Sequence, residues 1–533
     1  MNNVMMRVIV ACCCLLCFAP RAEAQAIPQN EKFSLEEAEA RSASHRQTYS
    51  ASALADTNVD VTYYKLDLRI TTSPNYLRGK VTVHAKSIRP ALASVSLDLT
   101  NTLTVDSVKL GGSRLQFIQH PAAVAIQLNR SYGHGEMVVL DVFYRGTPVS
   151  TGFGTFEFGE HLGTPWVWSL SEPYGARDWW PCKDHPMDKA DSVDVWVTCR
   201  NDFKVASNGK LVAIVSNPDS THTYQWSERY PITTYLVFMS LTNYATFTDW
   251  FRYSPTDSMP VINYVLPENL ADARDSLSRV IDMLRIFSDR LGLYPFVTEK
   301  FGHAEFGRGG AMEHQTMTSL VRYAFGEYVL AHELAHQWFG DLVTCASWRD
   351  LWINEGFAAY GEVIYAEGKY GVATYHSRAR ADMESAKTGV GPVYKSDTTN
   401  LRQLFDQPTV YRKGLATLHM LRHVVGDSLF FRSLRSFLSD PRYRFGVATT
   451  ENFKDVCEVV SGRQLDWFFD QWIYGEKYPR YSYTWQAIPD TDGGYIATIS
   501  LSQTTGTSNP AFFTMPIDFK ISSASRDTTV VLL

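Results

Sequence analysis

The sequence lacks an excess of basic residues, a dense set of cysteines and any long apolar run after residue 24. Its 533 residues contain 50 lysines and arginines against 56 aspartates and glutamates, a net charge of −6 at pH 7. A nucleic-acid partner therefore has no electrostatic support. No later apolar run is long enough to span a bilayer, so we expect no transmembrane segment. An apolar content of 45% with 20% charged residues is typical of a soluble globular chain, whose length predicts three or four domains.

Cysteine is scarce as well. Four of the eight cysteines lie within the first 24 residues, and the other four form no Cys-x-x-Cys pair of the kind found in structural zinc sites. Four cysteines in so long a chain do not make a disulfide scaffold. We expect buried free thiols, with room for one bridge, at Cys182, Cys199, Cys345 and Cys457.

Residues 1–24 have the features of a secretory signal peptide. Arg7 supplies a positive charge, residues 8–20 form a short apolar segment, and Ala22-Glu23-Ala24 has the form of a cleavage site. The apolar segment is too short to span a membrane. We therefore expect export to the periplasm or the extracellular space, followed by a polar leader over residues 25–60.

Hydrophobic patterning divides the rest of the chain into three regions. From residue 61 to 247 apolar residues alternate with polar ones, as at Leu66, Leu68 and Ile70, which predicts an N-terminal antiparallel β-domain. From about 270 to about 475 the period becomes helical, within a second domain predicted over residues 248–477. Alternation returns from 478 to 533, at Tyr481 for example, which predicts a short β tail. The fold class is therefore multidomain, β followed by α/β. One helical stripe near residue 280 contains Leu277, Val280, Ile281, Leu284 and Phe287.

One helical segment carries a metal-binding pattern, His332-Glu333-Leu334-Ala335-His336. Histidines four residues apart lie on the same helix face, so both imidazoles can reach one zinc ion. Glu333 lies between them, where its carboxylate can reach a metal-bound water without binding the metal. The pattern also occurs by chance, in which case the pair would be ordinary hydrogen-bonded side chains.

The third ligand distinguishes classes of zinc peptidase. One large class continues with Gly and His at the positions that Phe339 and Leu342 occupy here, so that class is excluded. Glu355 follows instead, at the start of a second predicted helix. It can complete a His₂Glu site with one position open for water, as catalytic zinc requires. The alternative is that Glu355 only stabilises a helix N-terminus.

These motifs together resemble the M1 family of zinc aminopeptidases, in the gluzincin group. His-Glu-Leu-Ala-His is followed by Asn354-Glu355-Gly356-Phe357-Ala358, as in that family. The resemblance implies a thermolysin-like, mostly helical catalytic domain over residues 248–477 and one zinc ion per chain. Three further segments match family motifs: residues 176–182, residues 467–472, and Val410-Tyr411-Arg412-Lys413-Gly414.

The resemblance also implies roles for individual side chains. Glu333 would be the general base that takes a proton from the zinc-activated water. Tyr411 would donate a hydrogen bond to the oxyanion. Glu313 and Glu172 would bind the free amino group of a peptide substrate. Residues Gly310, Ala311, Met312, Glu313 and His314 resemble the exopeptidase motif that binds the substrate.

Three departures from the family pattern stand out. His314 occupies a position where the family usually has Asn, so its contact with the peptide backbone is expected to differ in strength and pH response. Gly309 replaces a larger side chain of some relatives, which predicts a roomier first specificity pocket. Only about 55 residues follow the catalytic domain, so we expect an incomplete β-sandwich, no helical C-terminal domain and a more open cleft.

Other functions remain open from the sequence. A zinc endopeptidase would use the same metal centre, although Glu172 and Glu313 argue against it. A catalytically silent binding protein on the same fold is a second alternative. The intact set of site residues argues against it: His332, Glu333, His336, Glu355 and Tyr411. A lipid epoxide hydrolase has no separate support. Side-chain preference and oligomeric state do not follow from the sequence.

Overall fold

The computed structural model describes residues 4–10, 56–491, 495–522 and 527–532. Of the predicted signal peptide, only strand β1 (Val4–Val10) lies in the described part, where it runs antiparallel to a strand near the C-terminus. The rest of residues 1–24 and residues 25–55 of the predicted leader lie outside the described residues. The signal peptide therefore stays a prediction.

Short strands build the N-terminal region, as the alternating pattern predicts. In β2, Leu66, Leu68 and Ile70 are buried while the residues between them are more exposed. The strands are β2 (Val59–Thr72), β3 (Asn75–Ser87), β4 (Leu92–Asp98), β5 (Leu103–Leu110), β6 (Ser113–Leu115), β7 (Phe117–Gln119), β8 (Ala123–Tyr132), β9 (Met137–Gly146), β10 (Phe156–His161), β11 (Thr164–Ser169), β12 (Ser192–Arg200), β13 (Lys204–Ser207), β14 (Lys210–Ser216), β15 (Thr221–Glu228) and β16 (Met239–Thr242).

These strands form three sheets. The largest has eight strands in the order β14-β15-β12-β2-β3-β9-β5-β6, and it is antiparallel except where β12 runs parallel to β2. A four-stranded sheet has the order β10-β11-β16-β13, and β4-β8-β7 form a third. Apolar side chains on the inward faces of the strands are buried, which accounts for the alternation in the sequence.

A five-stranded sheet begins the second region. Its strands are β17 (Ala245–Arg252), β18 (Ser258–Val265), β19 (Phe301–Glu305), β20 (Ala311–Met312) and β21 (Thr318–Leu320), in the order β17-β18-β19-β21-β20. Strand β20 lies at the edge and pairs antiparallel with β21. Strand β17 runs across the predicted boundary at residue 247, and the boundaries at 247 and 477 stay predictions.

Helices make up most of the second region. They are α1 (Leu270–Leu277), α2 (Val280–Leu291), α3 (Glu327–Ala335), α4 (Trp352–Tyr370), α5 (Val372–Ala386), α6 (Leu401–Leu404), α7 (Gly414–Val425), α8 (Asp427–Ser439), α9 (Thr450–Ser461) and α10 (Asp466–Trp472), with a π-helical segment (Gln407–Lys413) before α7 and a parallel strand pair, β22 (Val343–Cys345) and β23 (Gly446–Ala448).

The amphipathic stripe near residue 280 is divided between two helices. The sequence predicts one helix containing Leu277 and Val280, but α1 ends at Leu277 and α2 begins at Val280. Both side chains are still buried, because the short break between the helices keeps them against the same core. Gly292 directly follows α2 and ends it.

Two glycines allow the helices around the candidate site to approach closely. A Cβ atom on Gly361 of α4 would lie 2.4 Å from the Cβ of Ala335 in α3. A Cβ on Gly356 would lie 3.0 Å from the Cα of Gly414, at the end of the π-helical segment. Such distances exclude larger side chains at both positions. Helix α4 is therefore packed directly against α3 on one side and against the π-helical segment on another.

The C-terminal residues form hairpins. These are β24 (Arg480–Pro489) with β25 (Tyr495–Thr504), which also pairs with β1, and β26 (Ile517–Ser522) with β27 (Asp527–Leu532). The alternating pattern correctly indicates strands, but it does not produce a buried face in β24, where Tyr483 is 61% exposed and Trp485 68% exposed. This architecture of β-rich N-terminal region, helical middle and short β tail confirms the predicted fold class.

Two smaller expectations concern thiols and membranes. The four cysteines of the described part are buried and free, as expected. Among the described residues, no helix is both long enough and apolar enough to cross a bilayer.

Candidate metal centre and active site

Three buried side chains from two helices converge at one point. His332 lies in α3, His336 follows the last residue of α3, and Glu355 lies in the first turn of α4. Each histidine has its Nε2 atom 3.3 Å from Oε2 of Glu355, and the ligand atoms of all three residues lie within 4.8 Å of one another. Two imidazoles and one carboxylate at this spacing are the donor set of a catalytic zinc site. The residues therefore fit the metal that the sequence predicts.

The other nitrogen of each histidine is also bonded. Nδ1 of His332 donates to Oε1 of Glu362 at 3.1 Å, and Nδ1 of His336 donates to the carbonyl oxygen of Phe339 at 3.0 Å. These acceptors place the proton on Nδ1 and leave the Nε2 lone pairs free to bind a metal. Both rings are therefore held in the tautomer that a metal site needs.

The sequence reasoning missed Glu362. It lies seven residues after Glu355 on α4, so the two carboxylates are two turns apart on one helix face. Arg378 donates to Oε2 of Glu362 at 3.1 Å, and Arg412 lies 3.4 Å from Oε1. Although burial raises the pKa of Glu362, Arg412 and His332 together hold it at about 2. The spacing from Glu355 was the one available signal.

Glu333 is buried in the turn of helix between the two histidines. Its Oε2 atom has no hydrogen-bond partner among the described residues. Burial raises the pKa of Glu333 to about 8, against the lowering effect of His332 and His336. A carboxyl group with a pKa near neutrality can both accept and release a proton during turnover.

Tyr411 lies beside His332. It belongs to the π-helical segment, it is buried, and its ring is stacked on the ring of His332 with centroids 6.1 Å apart and planes at 18°. The predicted oxyanion donor therefore lies beside the predicted metal ligands, although its position in the sequence alone does not place it there.

The two other predicted glutamates also reach this centre. The carboxylates of Glu172, Glu313 and Glu355 lie within 4.8 Å of one another, and all three are buried. Oε1 of Glu313 is 3.9 Å from Nδ1 of His336. Burial raises the pKa of Glu313, as does the charge of Glu355, while His336 lowers it. Three crowded carboxylates beside the metal donors form a subsite suited to a cation.

The remaining residues of the predicted exopeptidase motif lie on strand β20 or directly before it. Ala311 and Met312 are strand β20, at the edge of the five-stranded sheet, so the backbone on one side of the strand is not paired with a strand of that sheet. Gly310 precedes them with a φ of +98°, a conformation that favours glycine, and its N–H donates to the hydroxyl of Tyr323 at 3.1 Å.

His314 is buried, and the expectation that its contact with the peptide backbone differs in strength and pH response stays a prediction. Its ring stacks on Phe238 at a centroid distance of 4.3 Å, and Nδ1 is 2.8 Å from the hydroxyl of Ser319. Burial lowers the pKa of His314 to about 3, so the ring is neutral at ordinary pH. Its contacts are those of a core residue at the junction with the N-terminal region.

Comparison with known proteins gives a consistent result. Residues 61–236 match the peptidase M1 N-terminal domain, and residues 309–472 match the peptidase family M1 domain. The chain is 26% identical over 403 residues to a probable aminopeptidase 2 of Sulfurisphaera tokodaii, covering 71% of this chain and 49% of the relative. It is 25% identical over 402 residues to an aminopeptidase N of Lactobacillus helveticus, covering 71% and 47%. The chain thus spans about half the length of these curated relatives.

Solved structures agree with the sequence matches. A crystal structure of an M1 zinc metallopeptidase from Deinococcus radiodurans superposes with a TM-score of 0.71 at 27% identity, covering 81% of this chain and 97% of that one. A variant of the same enzyme, bound to a Tyr-Ser-Ala substrate, also gives a TM-score of 0.71 at 27% identity, covering 80% and 97%. By its two matching domains, its architecture and its neighbours, this chain belongs to the M1 family of zinc metallopeptidases.

Proposed function

We propose that this protein is a zinc aminopeptidase that removes the first residue of peptides with a free amino terminus. The observation that carries the proposal is the shared position of Glu355, which belongs both to the metal donors and to the group of three buried carboxylates. A cation bound by the carboxylates would therefore lie a short distance from the metal. That distance selects the first peptide bond of a substrate.

The metal and Glu333 supply the hydrolytic step. His332, His336 and Glu355 would hold the zinc ion, which would supply Lewis-acid chemistry to the site. Glu333 accepts the proton of the attacking water and delivers it to the leaving amine. Its buried position in the helical turn between the two histidine ligands supports both transfers.

Tyr411 also supports the proposal. Its hydroxyl would donate a hydrogen bond to the oxygen that becomes negatively charged as water attacks. Its stacking against His332 supports this role because it places the phenol beside the metal donors. A fixed donor in a buried site stabilises developing charge more strongly than solvent does.

Glu172 and Glu313 would bind the α-ammonium group of the substrate. Keeping several carboxylates buried without a counter-charge costs free energy, and an ammonium group from the substrate offsets that cost. A peptide with a blocked amino terminus brings no such charge. The carboxylates therefore favour an exopeptidase over an endopeptidase with the same metal centre.

The proposal is tested by comparing leucine anilide with N-acetyl-leucine anilide as substrates of the zinc-loaded protein. We expect turnover of the free amine, loss of activity on chelation and recovery with zinc. The Glu313→Gln variant keeps the shape of the side chain and should lose most of the preference for the free amine. Equal cleavage of both substrates would favour the endopeptidase, and no cleavage of either by zinc-loaded protein would favour a silent binding protein.

We also propose that the chain is exported, with cleavage between Ala24 and Gln25. The support is the charge, apolar segment and cleavage pattern of residues 1–24. Expression of the full chain followed by cell fractionation and N-terminal sequencing tests this. A mature chain beginning at Gln25 outside the cytoplasm is expected, whereas an intact N-terminus in the cytoplasmic fraction would contradict it.

A further inference from the structure

The loop between β20 and β21 contains one residue in an unusual conformation. Thr316 has a φ of +64° and is fully buried. This left-handed conformation is rare for any residue but glycine, and it is a genuine outlier for a β-branched side chain. Such a residue persists only where its surroundings hold it in place, and positions of this kind cluster at functional sites.

Four neighbours hold Thr316. Its backbone N–H donates to Oε1 of Gln337 at 2.9 Å, and its carbonyl oxygen accepts from Nζ of Lys300 at 2.8 Å. Its hydroxyl oxygen accepts from the backbone N–H of Gly209 at 2.8 Å and donates to Oε2 of Glu228 at 3.3 Å. Gly209 and Glu228 belong to the N-terminal region, so the hydroxyl of Thr316 joins the two regions of the molecule.

The same loop carries Glu313, three residues before Thr316. Gln337 connects the two, because its Nε2 atom donates to the carbonyl oxygen of Glu313 at 3.3 Å while its Oε1 atom accepts from Thr316. Gln337 directly follows the metal ligand His336. The side-chain amide of Gln337 therefore links the backbone of Glu313 to the chain segment that carries the metal ligand His336.

The N-terminal region holds the loop at a second point. Nδ2 of Asn208 donates to the carbonyl oxygen of Gln315 at 2.7 Å and to the carbonyl oxygen of Leu236 at 2.9 Å. Asn208 is buried, and its Oδ1 atom accepts from the N–H of Phe238. Residues 313–316 are thus fixed between the turn at Asn208 and the helix that carries the metal ligands.

We propose that Thr316 is a positioning residue whose hydroxyl sets the place of Glu313 relative to the metal donors, and thereby the preference for a free amino terminus. The N-terminal region would then take part in substrate selection in two ways, directly through Glu172 and indirectly through its hydrogen bonds to Thr316. The inference rests on the proposed aminopeptidase function, because Glu313 must bind an ammonium group for its position to matter.

The test uses variants of Thr316 with a matched control. Thr316→Val removes the hydroxyl and keeps the β-branched shape, and Thr316→Ser restores the hydroxyl. Thr316→Gly also lacks the hydroxyl but adopts a positive φ without strain, so it remains informative if the valine variant folds poorly. Thr318→Val is the control, because Thr318 is equally buried and its hydroxyl has no hydrogen-bond partner among the described residues.

The first readout is kinetic. With leucine anilide we expect Thr316→Val and Thr316→Gly to raise KM about tenfold with kcat nearly unchanged, the signature of weakened ground-state binding. Thr316→Ser and Thr318→Val should resemble the unchanged protein, and all variants should retain the same zinc content. A KM of both hydroxyl-free variants equal to that of Thr318→Val would overturn the inference.

The second readout separates this inference from the proposed function. Inhibition or binding constants are measured for leucine hydroxamate and for its analogue without the amino group. The ratio of the two constants reports the contribution of the ammonium group alone. A ratio that falls about tenfold in the hydroxyl-free variants supports the role of Thr316. A large ratio unchanged in those variants refutes it, whereas a ratio near one in the unchanged protein refutes ammonium binding and with it both proposals.

Discussion

Glu362 accepts a hydrogen bond from Nδ1 of His332 at 3.1 Å, on the side of the imidazole ring away from Glu355. Helix α4 therefore contributes twice to the metal centre, once through a ligand and once through the carboxylate that orients another ligand. Arg378 and Arg412 keep this second carboxylate charged in a buried position. Orientation of a ligand by a hydrogen-bonded carboxylate raises the basicity of the imidazole and reduces its freedom to rotate.

The Glu362→Gln variant should bind zinc more weakly. The amide can accept the hydrogen bond from Nδ1 but carries no charge, so we expect the zinc affinity to fall about 10- to 100-fold. Competition with a chelator of known affinity measures this. Glu367→Gln is the control, because Glu367 lies on the same helix and pairs with Arg422 instead of with a metal ligand. An equal loss of zinc affinity in both variants would show that the effect is on folding.

Glu333→Ala should retain zinc and lose peptidase activity. The side chain is not among the metal donors, and its removal eliminates the proton transfer to the leaving amine. We expect kcat/KM to fall by several orders of magnitude while metal analysis still finds one zinc ion per chain. Substantial hydrolysis by a pure variant would remove Glu333 from the mechanism.

Tyr411→Phe should lower kcat while leaving zinc binding intact. The variant retains the ring that packs against His332 and loses only the hydroxyl. Loss of one oxyanion donor typically costs about 10²- to 10³-fold in kcat. Steady-state kinetics with leucine anilide check this. An unchanged kcat would mean that another group stabilises the oxyanion.

Acid should destabilise the fold through His303, which is buried in β19 with its Nδ1 atom 2.7 Å from Oδ1 of Asn263. Burial lowers the pKa of His303 to about 3, below its ordinary value of 6.5. The unfolded chain therefore binds more protons, and the stability contributed by the neutral ring is complete above pH 6.5 and is lost as the pH falls towards 3. The loss is about 1.4 kcal/mol per pH unit for this one group.

The comparison variant for this prediction is His303→Gln, which does not titrate and can still donate to Asn263. Urea unfolding at pH 5.5 and 4.5 measures the free energy of unfolding of both proteins. The unchanged protein should lose about 1.4 kcal/mol more than the variant over this interval. Equal losses would mean that His303 is not the titrating group.

The agreement between sequence and structure is closest where the physical cause is local. The spacing of His332 and His336 places both on one helix face in any regular helix, so their convergence could be predicted. The alternation in β2 indicated a half-buried strand for the same reason. The pattern was less informative at Leu277 and Val280, where the break between two helices preserves burial and leaves the periodicity unchanged.

Other features depend on contacts between distant parts of the chain. The exposure of Tyr483 and Trp485 depends on what packs against β24, which the strand pattern does not contain. Apart from its spacing from Glu355, nothing in the sequence distinguishes Glu362 from other helical glutamates. Nothing in the sequence indicates the conformation of Thr316, because hydrogen bonds with Gly209, Glu228 and Gln337 impose it.

The sequence by itself determined the strand-rich, helical and strand-rich order of the chain, and the pair of histidines with a glutamate between them, because periodicity and spacing act within one element. Only the tertiary structure decided that Glu172, Glu313 and Glu355 share one buried subsite and that Tyr411 faces His332. These residues come from separate elements, and the distances between them are set by how helices and sheets pack. A local sequence pattern does not determine those distances.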